Sequence, residues 1–520
     1  MTPRHPRLDR IDAYGAHGAV THPQRPALVA QDGSQLTYSE MSAEVDRWAR
    51  ALLRAGVEPG DRVAALGHSR TDALVTFLAT SSIGAVWLGL NPKYTLDELR
   101  YVVGDAEPVL LLGLTEQPEQ SEKLRSLAAE VGSVRALVES GETGFLAAGD
   151  EVPHERLDES RAAVQRQQPA ALVYTSGSTG APKGALITHA GLIDCSLVLD
   201  EQWNTDTPPR VHNAFPINHV AWLGDVSSSV LVAGGTVHFA EQYDPRAMLR
   251  TVAEHRLTHI VGVPTMLLYA VQTPEWSTVD LTSVERIVFS GAAAPVELVR
   301  TLRELAPVST CFGMTETTGS VTYSQPGDSP ETLATSIGRP VPEFEIRVVT
   351  EDGKEAAEGE PGELCVRAHT NFAGYLGRPE ATRDAFDADG FLRTGDQAIR
   401  LPDGNLRLVG RLREMFKSGG YNVYPREIEE ALEAHPQVVQ AAVVGVPDPV
   451  YGEVGVGYVV GEVDLDQLRT FASGRLANYK VPKRLKHLED LPRLPVGKVD
   501  KLTLARWAVD GQSTESGGSR

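Results

Sequence analysis

A glycine- and hydroxyl-rich segment between Tyr174 and Gly184 limits the fold of this chain more than any other feature. It reads Tyr174-Thr-Ser-Gly-Ser-Thr-Gly-Ala-Pro-Lys-Gly184 and follows an apolar run, Ala171 to Tyr174, that is typical of a short buried strand. Glycine lets the backbone approach a ligand and turn its amides towards it, while hydroxyl groups and Lys183 add donors for phosphate oxygens. Because Pro182 precedes Lys183 where a Walker A loop has glycine, a P-loop NTPase is disfavoured. The segment predicts a phosphate-binding loop at the end of a strand.

Length and charge limit the class of protein. The 520 residues exceed what one hydrophobic core usually serves, so two or three domains are expected. The 49 basic and 69 acidic residues give a formal net charge of -20, which disfavours binding to nucleic acid or to anionic membranes.

The most membrane-like stretch, Val75 to Leu90, is shorter than a typical span of about 20 residues and predicts a buried helix with a short segment after it. Three widely spaced cysteines fit a reducing compartment, so we expect a cytoplasmic protein without stable membrane insertion. A homodimer is compatible with these features, and the sequence leaves the oligomeric state open.

Helical and strand-like patterns alternate along the N-terminal region, which is the usual sign of a layered α/β protein. One helix can be predicted closely. Thr37 and Glu40 form a capping box, and apolar residues from Met41 to Leu52 recur at helical spacing. Gly56 is well placed to end this helix. Short buried strands are predicted at Ile260 to Val263 and at Arg286 to Phe289.

A second unit of mixed pattern begins near Gly410. About a hundred residues of such pattern suit a small separate domain, so we divide the chain into domains of residues 1–411 and 412–520. The elements predicted there are a helix with Pro425 at its first position, strands at Val438 to Val446 and Gly455 to Val460, and a helix from Leu465 to Leu476. The Gly- and Ser-rich tail, residues 510–520, is expected to be disordered.

Further motifs carry residues suited to nucleotide chemistry. A carboxylate such as Glu316 is favourable near a triphosphate mainly when a hard cation lies between them. An aspartate at the end of a strand can accept the hydrogens of both ribose hydroxyls. The segments in question are Ser290-Gly-Ala-Ala-Ala-Pro295, Phe312-Gly-Met-Thr-Glu316, Leu392-Arg-Thr-Gly-Asp396, Gly410-Arg-Leu-Arg-Glu-Met-Phe-Lys-Ser-Gly-Gly-Tyr-Asn-Val-Tyr-Pro425 and Leu494-Pro-Val-Gly-Lys-Val-Asp500.

Together with the phosphate loop, these segments resemble the adenylate-forming superfamily of acyl-CoA synthetases, beetle luciferases and non-ribosomal peptide adenylation domains. The similarity runs from about Pro26 to about Arg506, with the motifs in the family's order. The resemblance implies an α/β fold in which a large N-terminal adenylation domain of several subdomains, with layered sheets, is followed by a small mobile α+β domain. It also implies ATP and Mg²⁺ as cofactors and coenzyme A as co-substrate.

The resemblance assigns a role to each motif residue. Catalysis falls on Lys498, Thr315 and Glu316, and Glu316 also holds Mg²⁺. Phe312 stands where the family usually has tyrosine, so it keeps a ring to pack on adenine but loses the hydroxyl. The residues implied to bind ATP or AMP are Thr175, Ser176, Gly177, Ser178, Thr179, Gly180, Lys183, Gly291, Ala292, Ala293, Phe312, Gly313, Met314, Thr315, Asp396 and Arg411.

The resemblance also implies a moving C-terminal domain. Arg413 matches the hinge, where lysine or aspartate is more usual, so the hinge role transfers but its preferred charge does not. After rotation about this hinge, a loop of the small domain lines the tunnel for the pantetheine arm of CoA. The residues of that loop are Lys417, Ser418, Gly419, Gly420 and Tyr421.

The sequence defines the acceptor of the acyl group and the carboxylic acid substrate less closely than it defines the nucleotide site. The segment Asn213 to Trp222 resembles acyl-CoA synthetases and lacks the aspartate by which amino-acid adenylation domains contact the α-amino group. Residues implied at the acyl pocket are His219, Trp222, Val263 and Pro264, although a core-packing role is the alternative for His219 and Trp222. We therefore predict an ATP-dependent acyl-CoA synthetase for a hydrophobic acid that is fatty, aromatic or polycyclic. The alternatives are an acyl-AMP ligase that loads a phosphopantetheinyl carrier protein and a luciferase-like oxygenase.

Overall fold

A computed structural model describes residues 5–175, 182–203, 207–412, 414–418, 421–494 and 498–509, with the backbone alone at 421 and 422. Within these residues the chain forms a large α/β body and a smaller α+β unit, as the sequence predicts. The helices are Asp12–Thr21, Tyr38–Arg54, Thr71–Ser82, Leu96–Ala106, Pro118–Glu130, Thr143–Ala148, His154–Ala163, His189–Trp203, Ser229–Val232, Pro245–His255, Pro264–Val271, Glu275–Thr278, Val296–Leu305, Pro330–Thr335, Pro379–Asp384, Pro425–Glu433, Leu465–Ser473 and Lys501–Val509, with a π-helix at Ala221–Ser228 and 3₁₀ turns at Gly149–Glu151 and Thr315–Thr317.

Two largely parallel sheets dominate the large body, as far as the structure describes the chain. The first contains, in spatial order, Arg339–Pro340, Gly319–Tyr323, Val308–Met314, Arg286–Ser290, His259–Gly262, Arg210–Asn213, Thr236–Phe239, Pro26–Val29 and Gln35–Thr37. The second contains Ala136–Val138, Leu110–Leu114, Arg62–Gly67, Val86–Leu90, Pro169–Thr175 and Lys183–Thr188. Central strands are buried on both faces because helices cover both sides, which explains their continuous apolar runs.

Two further sheets in the described residues are smaller and mainly antiparallel. One contains Glu345–Val349, Gly362–Arg367, Leu392–Arg400 and Leu406–Arg411 and ends where the predicted hinge begins. The other contains Tyr421–Val423, Phe416–Ser418, Gly452–Gly461 and Val438–Asp448, with Arg484–His487 paired in parallel to Gly452–Gly461. The helix Pro425–Glu433 packs on this last sheet and gives the C-terminal unit a core of its own.

Most local predictions are confirmed. The capping box forms, because the Thr37 hydroxyl accepts from the Glu40 amide and the Glu40 side chain bonds back to the Thr37 amide. Gly56 follows this helix in the left-handed region, with φ 76°. The helix predicted from Leu465 to Leu476 is too long, because it ends at Ser473, where Gly474 caps it. No helix in the described residues is both long and apolar enough to cross a bilayer.

Candidate active site

Lys498 ends a turn that begins at Leu494, and its side chain approaches a loop of the large body. The Leu494 amide donates to the Lys498 carbonyl at 2.7 Å, and Arg493 pairs with Val499 as an antiparallel bridge. The Lys498 Cε atom lies 3.9 Å from the point that a Cβ would occupy at Gly291, in the small-residue loop after strand Arg286–Ser290. The turn therefore brings the C-terminal lysine to the loop that the sequence assigns to the adenine pocket. The predicted turn residues Pro495 and Gly497 lie outside the described residues.

The surroundings of the Lys498 ammonium group join three motifs. Burial, and after it the guanidinium of Arg411, lower the pKa of Lys498 below its ordinary value, and the carboxylates of Asp396 and Glu316 oppose that lowering. Lys498 as a whole residue is exposed, so the shift reflects the surroundings of its ammonium group and not complete burial of the side chain. Two cations and two carboxylates thus lie within electrostatic reach of one another, which suits a site for a highly charged ligand.

Asp396 and Arg411 lie opposite each other on neighbouring strands, Leu392–Arg400 and Leu406–Arg411. The Arg411 Nε atom donates to Asp396 Oδ1 at 2.9 Å; Asp396 is 4% exposed, whereas the Arg411 side chain is 57% exposed. Burial raises the pKa of Asp396, and the positive charges of Arg411 and Lys498 counteract it. Because the bond from Arg411 goes to Oδ1, the carboxylate keeps acceptor capacity on Oδ2 for a ligand hydroxyl.

Glu316 lies on the 3₁₀ turn Thr315–Thr317 and is held by a tyrosine that sequence reasoning missed. The Tyr375 hydroxyl donates to Glu316 Oε1 at 2.7 Å, and the Phe372 amide donates to the Glu316 carbonyl at 2.8 Å. The Lys183 ammonium lies over the Tyr375 ring, 5.3 Å from its centroid. Tyr375 therefore joins the lysine of the phosphate loop to the carboxylate of the second motif. No motif or spacing marks Tyr375 in the sequence, since it reaches both partners through tertiary packing.

The backbone around the second motif is tightly constrained. A Cβ atom at Gly313 would lie 2.0 Å from the Gly319 carbonyl oxygen, so only glycine fits between these strands. Thr318 has a left-handed φ of 65°, and its hydroxyl donates to the Thr370 carbonyl at 2.6 Å. A non-glycine residue in this region costs on the order of 1–3 kcal/mol and persists where the surroundings fix it, commonly at functional sites. The predicted nucleotide residues Met314 and Thr315 follow Gly313 and are partly exposed.

Only the two ends of the phosphate loop are described. Thr175 and Lys183 pair across the antiparallel strands Pro169–Thr175 and Lys183–Thr188, and both are partly exposed. The predicted residues Ser176, Gly177, Ser178, Thr179 and Gly180 lie outside the described residues. The loop joins two strands, whereas a Walker A loop leads from a strand into a helix, so the architecture agrees with the exclusion of a P-loop NTPase.

The residues predicted for the adenine pocket lie in two different environments, some exposed and one in the hydrophobic core. Gly291, Ala292 and Ala293 are exposed at the end of strand Arg286–Ser290, and Gly291 has a left-handed φ of 84°. Phe312 is 9% exposed and belongs to the main hydrophobic core. Its ring thus has little surface to offer a ligand in this arrangement, and stacking on adenine stays a prediction for Phe312.

The described architecture and these motifs match one known family over most of the chain. Residues 16–376 match the AMP-binding enzyme family, and residues 427–498 match the AMP-binding enzyme C-terminal domain. The chain belongs to this adenylate-forming family.

Relatives of this AMP-binding enzyme agree along nearly its whole length. A feruloyl-CoA synthase from Amycolatopsis sp is 38% identical over 481 residues, which cover 91% of this chain and 94% of the relative. The crystal structure of ATP-bound MatB from Rhodopseudomonas palustris superposes with a TM-score of 0.83 at 31% identity, covering 96% of this chain and 99% of that chain. The amide bond synthetase McbA from Marinactinospora thermotolerans superposes with a TM-score of 0.84 at 28% identity, with 96% and 99% coverage. The α/β fold with a smaller C-terminal unit is thus that of adenylate-forming enzymes.

Two residues predicted for the acyl pocket of this AMP-binding enzyme lie close to Lys498. His219 is partly exposed, and burial followed by the charge of Lys498 lowers its pKa to about 4. The His219 Nδ1 atom accepts from the Ala221 amide at 3.1 Å, which leaves the ring neutral with its proton on Nε2. The Val263 Cγ1 atom lies 3.7 Å from the Cβ position of Gly291, so Val263 faces the same loop as Lys498.

The other two predicted acyl-pocket residues are packing residues in this structure. Trp222 is 0% exposed; its ring stacks on Trp87 with centroids 5.7 Å apart, and its indole N–H donates to the Ser69 hydroxyl at 3.0 Å. Pro264 is buried at the first position of helix Pro264–Val271. Because Trp222 has no accessible surface, the structure favours the core-packing alternative for it.

The predicted hinge and CoA loop of the enzyme are only partly described. Arg413, Gly419 and Gly420 lie outside the described residues, and only the backbone is described at Tyr421. Lys417 is exposed and its amide donates to the Glu453 carboxylate at 2.9 Å, while Ser418 is 2% exposed within the C-terminal sheet.

Two contacts hold the C-terminal unit against the large body at helix Pro264–Val271. The Arg493 guanidinium donates to the Thr265 hydroxyl at 3.2 Å, and the Tyr269 hydroxyl donates to Asp490 at 3.3 Å. Both lie just before the Lys498 turn along the chain. Both contacts are therefore present in the conformation in which the Lys498 side chain lies near Gly291.

Proposed function

We propose that this adenylate-forming enzyme is an ATP-dependent acyl-CoA synthetase, an AMP-forming acid–thiol ligase that acts on a hydrophobic carboxylic acid. The observation that carries the proposal is the convergence of Lys498, Arg411, Asp396 and Glu316 in one cleft. These residues supply what adenylation needs, namely cations for phosphoryl oxygens, an acceptor for ribose and a carboxylate for a metal. The names of the relatives, among them feruloyl-CoA synthase and indoleacetate–CoA ligase, support CoA as the acceptor.

Adenylation is the first half-reaction of the proposal. A substrate carboxylate oxygen attacks the α-phosphorus of ATP, the new C–O–P bond forms and pyrophosphate leaves. Negative charge on the transferring phosphoryl oxygens grows in transit, and we assign its stabilisation to the Lys498 ammonium, which lies near Arg411, Asp396 and Glu316. Asp396 orients the ribose, and the Lys183 side chain, at the end of the phosphate loop, faces the phosphates. The neutral ring of His219 lies within electrostatic reach of Lys498 and is proposed to stand at the mouth of the acyl pocket.

Glu316 fits the proposed role of magnesium ligand. Mg²⁺ binds through one or two carboxylates together with substrate phosphates, and a carboxylate fixed in orientation serves this purpose. The Tyr375 hydroxyl holds Oε1 of Glu316 at 2.7 Å, which orients the group without neutralising its charge. When bound, Mg²⁺ would neutralise the phosphates of ATP.

Thioester formation is the second half-reaction. The thiol of CoA attacks the acyl carbon of the mixed anhydride, its proton is lost to solvent or a base, and AMP leaves. We propose that residues 412–520 turn about Arg413 between the two halves, which withdraws Lys498 and brings Lys417 to Tyr421 to the tunnel. The contacts of Arg493 and Tyr269 with the large body would have to break in that turn.

Partly buried apolar side chains around Val263 support the hydrophobic character of the acid. Val261, Val263, Met266 and Met314 are partly buried apolar side chains packed on the main core, and each keeps some accessible surface. Such a surface binds an apolar acyl group by removing both from water, at about 25 cal/mol per Å². A cytoplasmic location and a homodimer stay predictions from the sequence.

The test is a pyrophosphate-release screen over fatty, aromatic and polycyclic acids, with ATP and magnesium, in the presence and absence of CoA. We expect turnover that CoA accelerates, with the acyl-CoA identified by mass spectrometry. Pyrophosphate release without an effect of CoA would refute CoA as acceptor and direct attention to carrier proteins, or to amines as the name of McbA suggests. Absence of pyrophosphate release across the panel would contradict the adenylation step itself.

A further inference from the structure

An acidic side chain that no motif covers follows His219, a residue predicted for the acyl pocket. Asp225 is in the π-helix Ala221–Ser228, six residues after His219. Its Oδ1 atom lies 2.8 Å from the position that a Cβ would take at Gly319, and its carboxylate accepts from the Ser320 amide. Gly319 is the residue whose carbonyl presses on Gly313 of the nucleotide motif. Gly319 thus adjoins both the Asp225 carboxyl group and Gly313, in the motif that carries Thr315 and Glu316.

Asp225 has few hydrogen-bond partners among the described residues. Burial raises the pKa of Asp225 to about 7, and the Ser320 amide is the one group that counteracts it among the described residues. The titratable groups that face it are the thiols of Cys195 and Cys311 and the phenol of Tyr323, all of which burial keeps neutral. A buried carboxyl group normally has a cation or several donors to offset the loss of water. Because one backbone amide is its donor, the Asp225 carboxylate keeps most of its acceptor positions unused.

Asp225 is nevertheless not sealed into the core. It keeps part of its surface accessible, whereas its neighbours Gly224 and Val226 are buried. Ala221, one turn earlier on the same helix, is also partly accessible, as is His219 before it. Single-turn π-helical geometry is rare and recurs at functional sites, where it redirects side chains. His219, Ala221 and Asp225 therefore all keep accessible surface along this one segment, at intervals of two and four residues.

We infer that Asp225 is a specificity-determining residue: its carboxyl group binds a hydroxyl group on the part of the substrate remote from the reacting carboxylate. The inference rests on the proposed function and narrows the acid to one with an apolar body and a hydroxyl group. A hydroxyl fits because a carboxylate accepts its hydrogen and a protonated carboxyl donates to its oxygen. A second carboxylate on the substrate is disfavoured, because two like charges would share a site without a cation.

The test uses pairs of acids that differ by one hydroxyl group. The probes are 3-(4-hydroxyphenyl)propanoate against 3-phenylpropanoate, and ω-hydroxydodecanoate against dodecanoate, with the amino and carboxy analogues of each as further arms. Acyl-CoA formation gives kcat/KM for each acid. We expect the wild type to prefer the hydroxy acid in at least one pair by about 10- to 100-fold, as for a buried hydrogen bond to a charged group.

Two variants separate recognition from folding. Asp225→Leu should bring the ratio within that pair close to one and increase kcat/KM for the unsubstituted acid, because an apolar side chain replaces the carboxyl group. Asp225→Asn keeps an acceptor and should retain part of the preference, with KM for ATP unchanged in both variants. The matched control is Asp200→Asn, since Asp200 is a buried aspartate that has a partner of its own, His5. A purely structural role for Asp225 would lower activity on both members of a pair equally.

The outcomes distinguish the two proposals. Two results would overturn the role of Asp225 and leave the ligase function standing. One is equal kcat/KM for both members of each pair, and the other is a preference for the hydroxy acid that persists in Asp225→Leu. A preference for the amino analogue would also overturn it, because the recognised group would then be cationic. Failure of every acid to release pyrophosphate would instead overturn the proposed function on which the inference rests.

Discussion

Replacing Lys498 by alanine removes the cation that lies within electrostatic reach of Asp396, Arg411 and Glu316. In preorganised sites, removal of one group that stabilises developing charge costs about 2.7–4 kcal/mol, or about 100- to 1,000-fold in kcat. Arg411 cannot replace it fully, because its guanidinium is tied to Asp396 at 2.9 Å and its charge is partly neutralised there. The Arg411 side chain is also 57% exposed, so solvent screens the remaining charge. We therefore expect a loss of about 100-fold or more in adenylation.

The assay separates the two half-reactions. Pyrophosphate release with acid and ATP reports adenylation, and acyl-CoA formation from supplied acyl-AMP reports the second half, which should change by less than about tenfold. The matched control is Lys483→Ala, an exposed lysine of the same C-terminal unit. Equal losses in both halves, or no loss in adenylation, would refute the assignment of Lys498 to the first step.

The pKa of Lys498 adds a check on the same residue. Burial and Arg411 lower this pKa, so the ammonium group loses its proton at a lower pH than a free lysine does. Because adenylation needs the charged form, its rate should fall on the alkaline side before the ordinary lysine range of about 10.4 is reached. Lys498→Arg, which keeps its charge, should lack this alkaline decline, and persistence of the decline would assign it to another group.

Three further changes test other parts of the structure. Gly313→Ala would place a Cβ 2.0 Å from the Gly319 carbonyl oxygen, so we expect adenylation and thermal stability to fall, whereas Gly132→Ala, with no atom within 4 Å, should be neutral in both assays. Asp396→Asn should raise KM for ATP by about tenfold or more with little change in KM for the acid, and an unchanged KM for ATP would contradict ribose binding. Thr37→Ala removes a helix cap and should cost about 1 kcal/mol, seen as faster hydrogen exchange in the first turn of helix Tyr38–Arg54 with unchanged kcat.

The sequence by itself determined the local elements and the order of the motifs. The capping box of Thr37, the strand before Thr175 and the helix that starts at Pro425 all follow from interactions among residues a few positions apart. Hydrophobic periodicity, caps and turn residues act over such distances, so they can be read without knowing the fold. The resemblance to the family adds predicted roles for Lys498, Asp396 and Arg411, and the structure brings these three residues close together.

Only the tertiary structure decided which side chains meet. Tyr375 reaches Glu316 from 59 positions away, Trp222 stacks on Trp87 in the core, and Asp225 lies against Gly319. None of these contacts has a local signal, because each depends on strands that are distant in the sequence becoming neighbours in a sheet or on a helix packing across it. Which side chains meet depends on how whole helices and strands pack together. A periodic pattern in the sequence shows which face of an element is buried, but it does not show which other element covers that face.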